Sequence, residues 1–208
     1  MEFTLLSKVA MLLTGSMLLG SLGCYFGRNL QSMAAFITLM VLFIGGSIAV
    51  FFLAGVSPAV GISALFLWTF IAGLFMGPAI QGYSESLGWQ TVFLAFAGTG
   101  GVMAVTGVIG MFSGIDFSGF APYLMVALLV LIGVGIVACF VAMSRDVNII
   151  WGLGGMIVFA GFFLVDFHRV AKAENTWEEA IRITMSLYLD FLNFLLYLLK
   201  FLEAVNGK

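Results

Sequence analysis

Charged side chains are the first thing that this sequence lacks. Its 208 residues include 8 Lys and Arg and 10 Asp and Glu, so only 9% of the chain is charged, whereas an ordinary soluble domain is about 25% charged. The formal net charge of −2 offers no basic surface of the kind that binds nucleic acid. A water-soluble fold of this length could not cover the apolar surface that is left, so lipid must supply most of the solvent.

Cysteine and histidine are also scarce, with 2 copies and 1 copy respectively. Cys24 and Cys139 lie in separate apolar runs with no second sulfur nearby, so we predict packing residues rather than a disulfide or a thiolate metal site. The single histidine, His168, leaves no ligand set for zinc and no base for a serine nucleophile inside a membrane. The sequence therefore predicts a protein that is not an enzyme and that has no cofactor.

Apolar residues are abundant instead, at 62% of the chain with a mean hydropathy of +1.19. They form runs that suit a hydrocarbon core about 30 Å thick, which takes about 20 helical residues to cross. We predict an all-α integral membrane protein with a single seven-helix transmembrane domain over residues 1–208. The predicted spans are Val9–Phe26, Met33–Gly55, Val60–Gly82, Thr91–Ser113, Phe120–Met143, Ile149–Val165 and Ile183–Phe201.

The first run follows Glu2 and Lys8, which make a poor positive region for a signal peptide, so we predict a helix of the mature protein. The basic residues divide evenly between the two sides of a seven-span chain, and the positive-inside rule does not decide the orientation. If the last helix is instead re-entrant, Lys200 and Lys208 return to the N-terminal side and the count becomes six against two.

Glycine inside the spans suggests close helix packing, because small residues let helix backbones approach each other in lipid. Gly107 with Gly110, and Gly154 with Gly161, are placed to do this. The pair Gly77-Pro78 differs, since proline removes a backbone donor from the helix and needs protein or a cavity around the freed carbonyl.

The last span carries a stripe of polar side chains. Thr176 and Glu179 fit a capping box, which predicts that the helix begins near Trp177. From there the polar residues recur in steps of three and four, which is the spacing of one helix face. The stripe consists of Arg182, Ser186, Asp190, Asn193, Tyr197 and Lys200, within a segment that is otherwise Leu and Phe apart from Tyr188.

Asp190 falls near the middle of this span, where a charge costs about 2.5–3.5 kcal/mol on insertion scales. One interpretation is that the stripe lines an ion or proton route, because intramembrane acids usually mark such routes. The other is that the stripe supplies interhelical hydrogen bonds of about 1 kcal/mol each. The ionisable Asp190 favours the first interpretation.

A second acid, Asp166, ends the sixth run in FFLVDFHRV, just before the loop that leads into the last helix. If Asp166 and Asp190 approach within hydrogen-bond distance, they share one proton and titrate as a pair. That arrangement would make a pH-sensitive element. Alternatively, Asp166 is an interfacial residue beside His168 and Arg169, with His168 exposed in the loop.

Several segments resemble the Bax inhibitor-1 family, the transmembrane Bax inhibitor motif proteins. The specific ones are SLYLDFLNFLLYLLKF and FFLVDFHRVAKAEN, with weaker support from AGLFMGPAIQGY and FLAFAGTGGVM. The resemblance covers the chain from about Trp68 to the C-terminus. It implies a prokaryotic-type member with seven helices, in which the last helix is central and wrapped by the other six.

The resemblance also implies an activity, a pH-sensitive calcium leak gated by protonation of an aspartate pair. By position that pair is Asp166 and Asp190, which would be the pH sensor and a candidate cation path. Ser186, Asn193, Tyr197 and Arg182 would form the supporting stripe, with calcium as the permeant ion. The N-terminus would lie in the cytoplasm, and the protein would lie in the cell (inner) membrane.

In one place the sequence departs from the family. The family has a basic residue near the second helix that helps to hold the closed form, whereas FFLAGVSPAVG between the second and third spans has neither Arg nor Lys. Arg169 or Arg182 is the candidate replacement for this latch.

Two other functions compete with the channel. The first is a regulatory protein that binds a partner in the membrane, such as a quality-control protease. The second is an intramembrane aspartyl hydrolase, since two acids can activate water. Asp166 lies in LVDF and Asp190 in YLDF, without the Gly-Asp pair that presenilin-like proteases carry. The enzyme is therefore disfavoured, and the expected partners are the lipid bilayer, calcium or other cations and a candidate membrane protein.

Overall fold

The computed structural model describes residues 3–138 and 140–207, so Cys139 lies outside the described residues. Over these residues the chain forms seven α-helices, a short 3₁₀ turn at Ser118–Phe120 and no strand. All seven helices are long and apolar enough to cross a membrane, which confirms the predicted fold class. They are α1 Leu5–Gly27, α2 Met33–Leu53, α3 Pro58–Leu87, α4 Trp89–Phe112, α5 Ala121–Ala138, α6 Arg145–Lys172 and α7 Trp177–Val205.

The first residue of α7 is Trp177, as the capping box predicts. The Glu179 N–H donates to Thr176 Oγ1 at 3.1 Å, and the acids of the first turn suit the positive end of the helix dipole. The start of a helix is readable from sequence here because its cap is a local contact.

The bounds of α5 and α6 differ from the predicted ones. α5 ends at Ala138 instead of Met143, and α6 covers Arg145–Lys172 instead of Ile149–Val165. Hydropathy marks only the apolar middle of α6, whereas backbone hydrogen bonding continues through the polar residues at both ends. As a result, Asp166 and His168 lie inside a helix rather than at its end or in a loop.

The chain divides into two compact units. The first takes in the chain up to Gly82 together with Lys172–Tyr188, and the second takes in Tyr83–Ala171 and the chain from Leu189 onward. α3 and α7 each contribute residues to both units. The single domain over residues 1–208 and the central position of α7 stay predictions.

In the first unit, α1 and α3 touch through glycines. A Cβ on Gly77 would lie 2.7 Å from the Arg28 nitrogen and 2.8 Å from the Cys24 carbonyl oxygen. Gly27 lies against the carbonyl oxygen of Leu74, which has lost its helical donor because Pro78 has no N–H. α3 continues through Pro78, and the freed carbonyl is covered by backbone rather than by lipid.

Replacing Gly73 with valine should break this contact, since its Cβ would stand 2.9 Å from the Cys24 nitrogen and the Gly20 carbonyl carbon. Backbone atoms cannot move aside as a flexible side chain can, so we expect a loss of about 3 kcal/mol in unfolding free energy in detergent micelles. The matched control is Gly82→Val on the same helix, where a Cβ would meet nothing within 4 Å. Equal stability of the two variants would contradict the glycine contact.

In the second unit, glycines on α4 bring it against α6. A Cβ on Gly107 would stand 3.1 Å from the Phe167 ring, and one on Gly110 would stand 2.7 Å from the Leu164 carbonyl oxygen, as the packing prediction requires. Gly161 faces Leu124 at 2.6 Å, but Gly154 has nothing within 4 Å, so its predicted packing role is wrong. The neighbours Gly152 and Gly155 make the contacts instead, because they lie on the face of α6 that meets α7.

Candidate functional site

The residues of α7 expose little of their surface. Every residue from Trp177 to Ala204 is buried or half-buried, whereas the other spans expose many apolar side chains. Asp190, in the middle of α7, is 6% exposed, and Asp166 on α6 is 7% exposed. Both carboxyl groups are therefore shielded from the surroundings of the protein.

The structure brings these two acids together within the second unit. The side chains of Asp166 and Asp190 share a hydrogen bond, and Asp190 Oδ2 is buried without a hydrogen-bond partner among the described residues. A carboxylate only accepts, so a hydrogen bond between two carboxyl groups requires a proton on one of them. A hydrogen bond between Asp166 and Asp190 therefore requires one proton shared by the two carboxyl groups.

Asp166 reaches Asp190 because α6 does not end where its hydropathy does. The helix continues for almost two turns beyond Asp166, as far as Lys172, so Asp166 holds a helical position on the same face as Gly155 and Phe159, which contact α7. The Asp166 side chain is buried and contacts α7 at Asp190.

His168 is also inside α6 and half-buried, not exposed in a loop. Its Nε2 lies 3.1 Å from Asp116 Oδ1 in the link after α4, and Asp116 Oδ1 accepts the Ser118 N–H at 2.9 Å. This pair attaches the link between α4 and α5 to the side of α6.

Beyond Asp190, the stripe runs toward the C-terminal end of α7. Asn193 donates from Nδ2 to the Leu189 carbonyl of its own helix at 2.8 Å. Tyr197 occupies a notch in α6, where a Cβ on Gly155 would collide with its ring.

Aromatic side chains hold the Tyr197 ring in that notch. It stacks on Phe159 at 5.8 Å between centroids and meets Trp151 edge-on at 6.0 Å. The Lys200 ammonium group lies 4.3 Å from the centroid of the Trp151 ring. The rings of Tyr197, Phe159 and Trp151 occupy the space beside the polar stripe between Asp190 and the C-terminal end of α7.

The first unit holds the other part of the stripe, including half-buried Ser186. Arg182 Nη2 pairs with Glu178 at 2.7 Å and donates to the Phe51 carbonyl at 3.4 Å. The Arg182 guanidinium also lies 4.4 Å from the centre of the Phe51 ring. Because Arg182 precedes Asp190 by two turns, about 12 Å along the helix, a latch role for it would require these contacts to break.

Arg169, the other latch candidate, is half-buried on α6. It follows Asp166 by one turn, at the i, i+3 spacing that makes side chains neighbours on a helix surface. Of the two candidates, Arg169 is therefore much nearer to the acid pair along its helix. Its role as a latch stays a prediction.

Two basic side chains donate hydrogen bonds to backbone carbonyls at the two ends of α7, and these contacts could not be predicted from the sequence. Lys8 is buried, and its Nζ donates to the Asn175 carbonyl at 3.0 Å, just before α7 begins. Arg145 donates to the carbonyls of Ala204 and Val205 at 2.9 and 2.6 Å, where α7 ends. These contacts join residues far apart in the chain, and no local pattern signals them.

A resident metal site is not formed by these acids. Among the described residues, no group of three or more His, Cys, Asp or Glu side chains could hold a metal ion. Ca²⁺ takes 6–8 oxygen ligands, and two carboxyl groups supply only a few of them. Two neighbouring carboxyl groups of this kind can exchange a proton.

Comparison with known proteins gives one family over almost the whole chain. The family model described as inhibitor of apoptosis-promoting Bax1 matches residues 2–207. Mouse protein lifeguard 4 is 28% identical over 210 residues, which cover 98% of this chain and 86% of that protein.

A fission yeast protein, Bax inhibitor 1 of Schizosaccharomyces pombe, is 31% identical over 144 residues, covering 69% of this chain and 52% of its own length. A Vibrio cholerae protein named only as an uncharacterized membrane protein is 29% identical over 155 residues, 72% of this chain and 68% of its own. The chain thus spans about half of the yeast relative and most of the mouse one. With seven helices able to span a membrane and a family match from end to end, this chain belongs to the Bax inhibitor-1 family of multi-pass integral membrane proteins.

Proposed function

We propose that this protein is a pH-sensitive cation leak of the cell (inner) membrane, with calcium as the permeant ion. The observation that carries the proposal is the buried hydrogen bond between Asp166 and Asp190. Burying an acid pair inside a membrane protein costs free energy. Such acids mark ion or proton routes more often than they serve a purely structural role. This pair is the proton-binding element of the leak.

Protonation controls the contact between α6 and α7. With one proton, the pair is joined by a hydrogen bond and carries a single negative charge. Without it, two like charges face each other, and at about 4 Å and an effective dielectric constant of about 20 their repulsion is about 4 kcal/mol. That energy is enough to move one helix against the other, so the leak opens as the pair loses its proton.

The same charges favour a cation. A deprotonated pair presents carboxylate oxygens, the ligands that Ca²⁺ prefers, and the Asn193 side-chain carbonyl is one turn away. The stripe from Asp190 toward Lys200 gives the ion polar groups along one face of α7. Opening and cation attraction therefore follow from one event, the loss of a proton.

Calcium uptake into proteoliposomes tests the proposal. We expect flux through the native protein to be several-fold higher at neutral than at mildly acidic pH. Asp190→Asn keeps the size and a hydrogen-bonding group but cannot change charge, so its flux should be the same at both pH values. The control is Asp146→Asn, which removes an exposed carboxylate from the first turn of α6 and should keep the native pH dependence.

Two outcomes would contradict the mechanism. A pH dependence that survives in Asp190→Asn would remove the acid pair as the sensor, and flux that rises on acidification would reverse the direction of gating.

The second candidate function is capture of a partner inside the membrane, such as a quality-control protease. It is favoured by the exposure of α2 and α5, in which the buried residues are Val50 and Leu131 alone. These two apolar helices could receive the helix of another protein. In that case Asp190→Asn would leave the physiological role intact, while substitutions on the exposed faces of α2 or α5 would abolish it.

A further inference from the structure

A cavity of about 290 Å³ lies in the first unit, where the link between α1 and α2 meets α3. Its walls are apolar and include Phe36, Leu39, Leu74 and Phe75, while Gln31 and Ser32 lie at its polar end. This volume is at the lower end of the range for small-molecule pockets, about 300–1,000 Å³. It suits a chain segment rather than a bulky ligand.

The cavity exists because α3 packs differently on its two neighbours. Against α1 it makes backbone contact through glycines, whereas against α2 it uses aromatic rings. Phe75 of α3 meets Phe36 at 5.2 Å and Phe43 at 5.5 Å between ring centroids. Rings of this size hold α2 away from α3. The space between the two helices is open at the first turn of α2.

The position of the cavity identifies its surroundings as lipid. α1 ends at Gly27 and α2 begins at Met33, so the polar end lies where two membrane spans terminate and lipid head groups are found. The wall formed by α2 also faces lipid, because Met33 is 72% exposed and the residues that follow it, Ala34 and Ala35, are apolar. The apolar walls suit an acyl chain of the bilayer.

The charge at the polar end favours an anionic head group. Arg28 lies in the link GRNLQS, which contains no acid. Its backbone nitrogen stands 2.7 Å from the place of a Gly77 Cβ, and the next residue, Pro78, lines the cavity. The Arg28 guanidinium lies 4.2 Å from the Tyr25 ring centre, and Arg28 precedes Leu30, the first residue that lines the cavity, by two positions.

We propose that this cavity binds an anionic phospholipid, with one acyl chain between α2 and α3 and the phosphate at Arg28. The Gln31 amide and the Ser32 hydroxyl supply further hydrogen bonds to the head group. The site is independent of the proposed leak, because it uses neither Asp166 nor Asp190. It would fix α2 against α3 when the lipid is present.

The test is lipid retention, measured by native mass spectrometry after extraction from bilayers with equal amounts of phosphatidylglycerol and phosphatidylcholine. We expect the native protein to retain one phosphatidylglycerol. Leu39→Trp fills the cavity and should abolish retention of either lipid, while Arg28→Gln should lower the preference for phosphatidylglycerol about fivefold, the effect of one basic residue at a membrane surface.

Two matched controls separate this site from general lipid contact. Ile37→Trp adds the same side chain at a 49% exposed position of α2 outside the cavity, and Lys172→Gln removes an exposed cation at the end of α6. Both should behave like the native protein, and circular dichroism should show all four variants to be folded.

Three results would overturn the proposal. If folded Leu39→Trp retains lipid as the native protein does, the lipid does not occupy the cavity. If the native protein retains both lipids equally, the anionic head group is wrong. If the mass of the molecule retained by the native protein is that of detergent or of a polypeptide, the cavity does not bind a phospholipid.

Discussion

Replacing Tyr197 with alanine is expected to raise cation flux about tenfold, which corresponds to a barrier lowered by about 1.4 kcal/mol. The Tyr197 ring fills the stripe on the C-terminal side of Asp190 and is held by Phe159 and Trp151. Gly155 opposite it has no side chain to replace the lost ring. Water can enter the space left by the Tyr197 ring, because Asn193 and Lys200 offer polar partners. A constriction that contains water conducts ions, whereas a dry one does not.

Two control variants make this result specific. Tyr197→Phe keeps the ring and should keep native flux, so an increase there would assign the effect to the hydroxyl group instead. Tyr123→Ala removes an aromatic ring that is 75% exposed on α5 and should change nothing. If a folded Tyr197→Ala protein conducts like the native one, the ion route does not follow this part of α7.

The second large effect concerns the stability of the acid pair. Replacing either Asp166 or Asp190 with leucine leaves the remaining carboxyl group buried without its partner. We expect each single variant to lose about 2 kcal/mol of unfolding free energy, because the remaining carboxyl group is left buried without its hydrogen-bond partner. The double variant should be close to native, since apolar side chains in place of both partners are often neutral.

Reversible unfolding in mixed micelles at neutral pH measures this double-mutant cycle. The signature is a coupling energy of several kcal/mol between the two sites, well above the 0.5 kcal/mol or so that independent sites show. Asn193→Leu is the control on the same helix, because its amide donates to the Leu189 carbonyl of its own helix and little should be lost. Additive losses from the two leucine substitutions would mean that the hydrogen bond between the acids contributes nothing to the fold.

The membrane class and the α7 stripe could be predicted because both depend on local sequence. Composition defines the solvent, and runs of apolar residues mark the spans. The Thr176 cap sets the first residue of α7, since capping joins residues only one turn apart. Steps of three and four place Asp190, Asn193 and Tyr197 on one face whatever surrounds the helix.

The depth of Asp166 could not be predicted in the same way. Hydropathy falls at Asp166, and the sequence therefore suggests the end of a span, although α6 continues to Lys172. A helix can carry polar residues past its apolar segment when another element covers them, and this cover comes from α7. Only the tertiary structure therefore decides that Asp166 is buried and that it meets Asp190.

The partners of each side chain were likewise decided by the tertiary structure. Periodicity fixes the face on which a residue lies but not the element that faces it. The notch at Gly155 for Tyr197, the hold of Arg145 on the last carbonyls of α7 and the contact of Arg182 with Phe51 all join segments distant in the chain. The sequence by itself determined seven membrane helices and a polar stripe with an acid at its middle. The packing of α6 on α7 decided that this acid lies beside a second carboxyl group, because only folding brings Asp166 within reach.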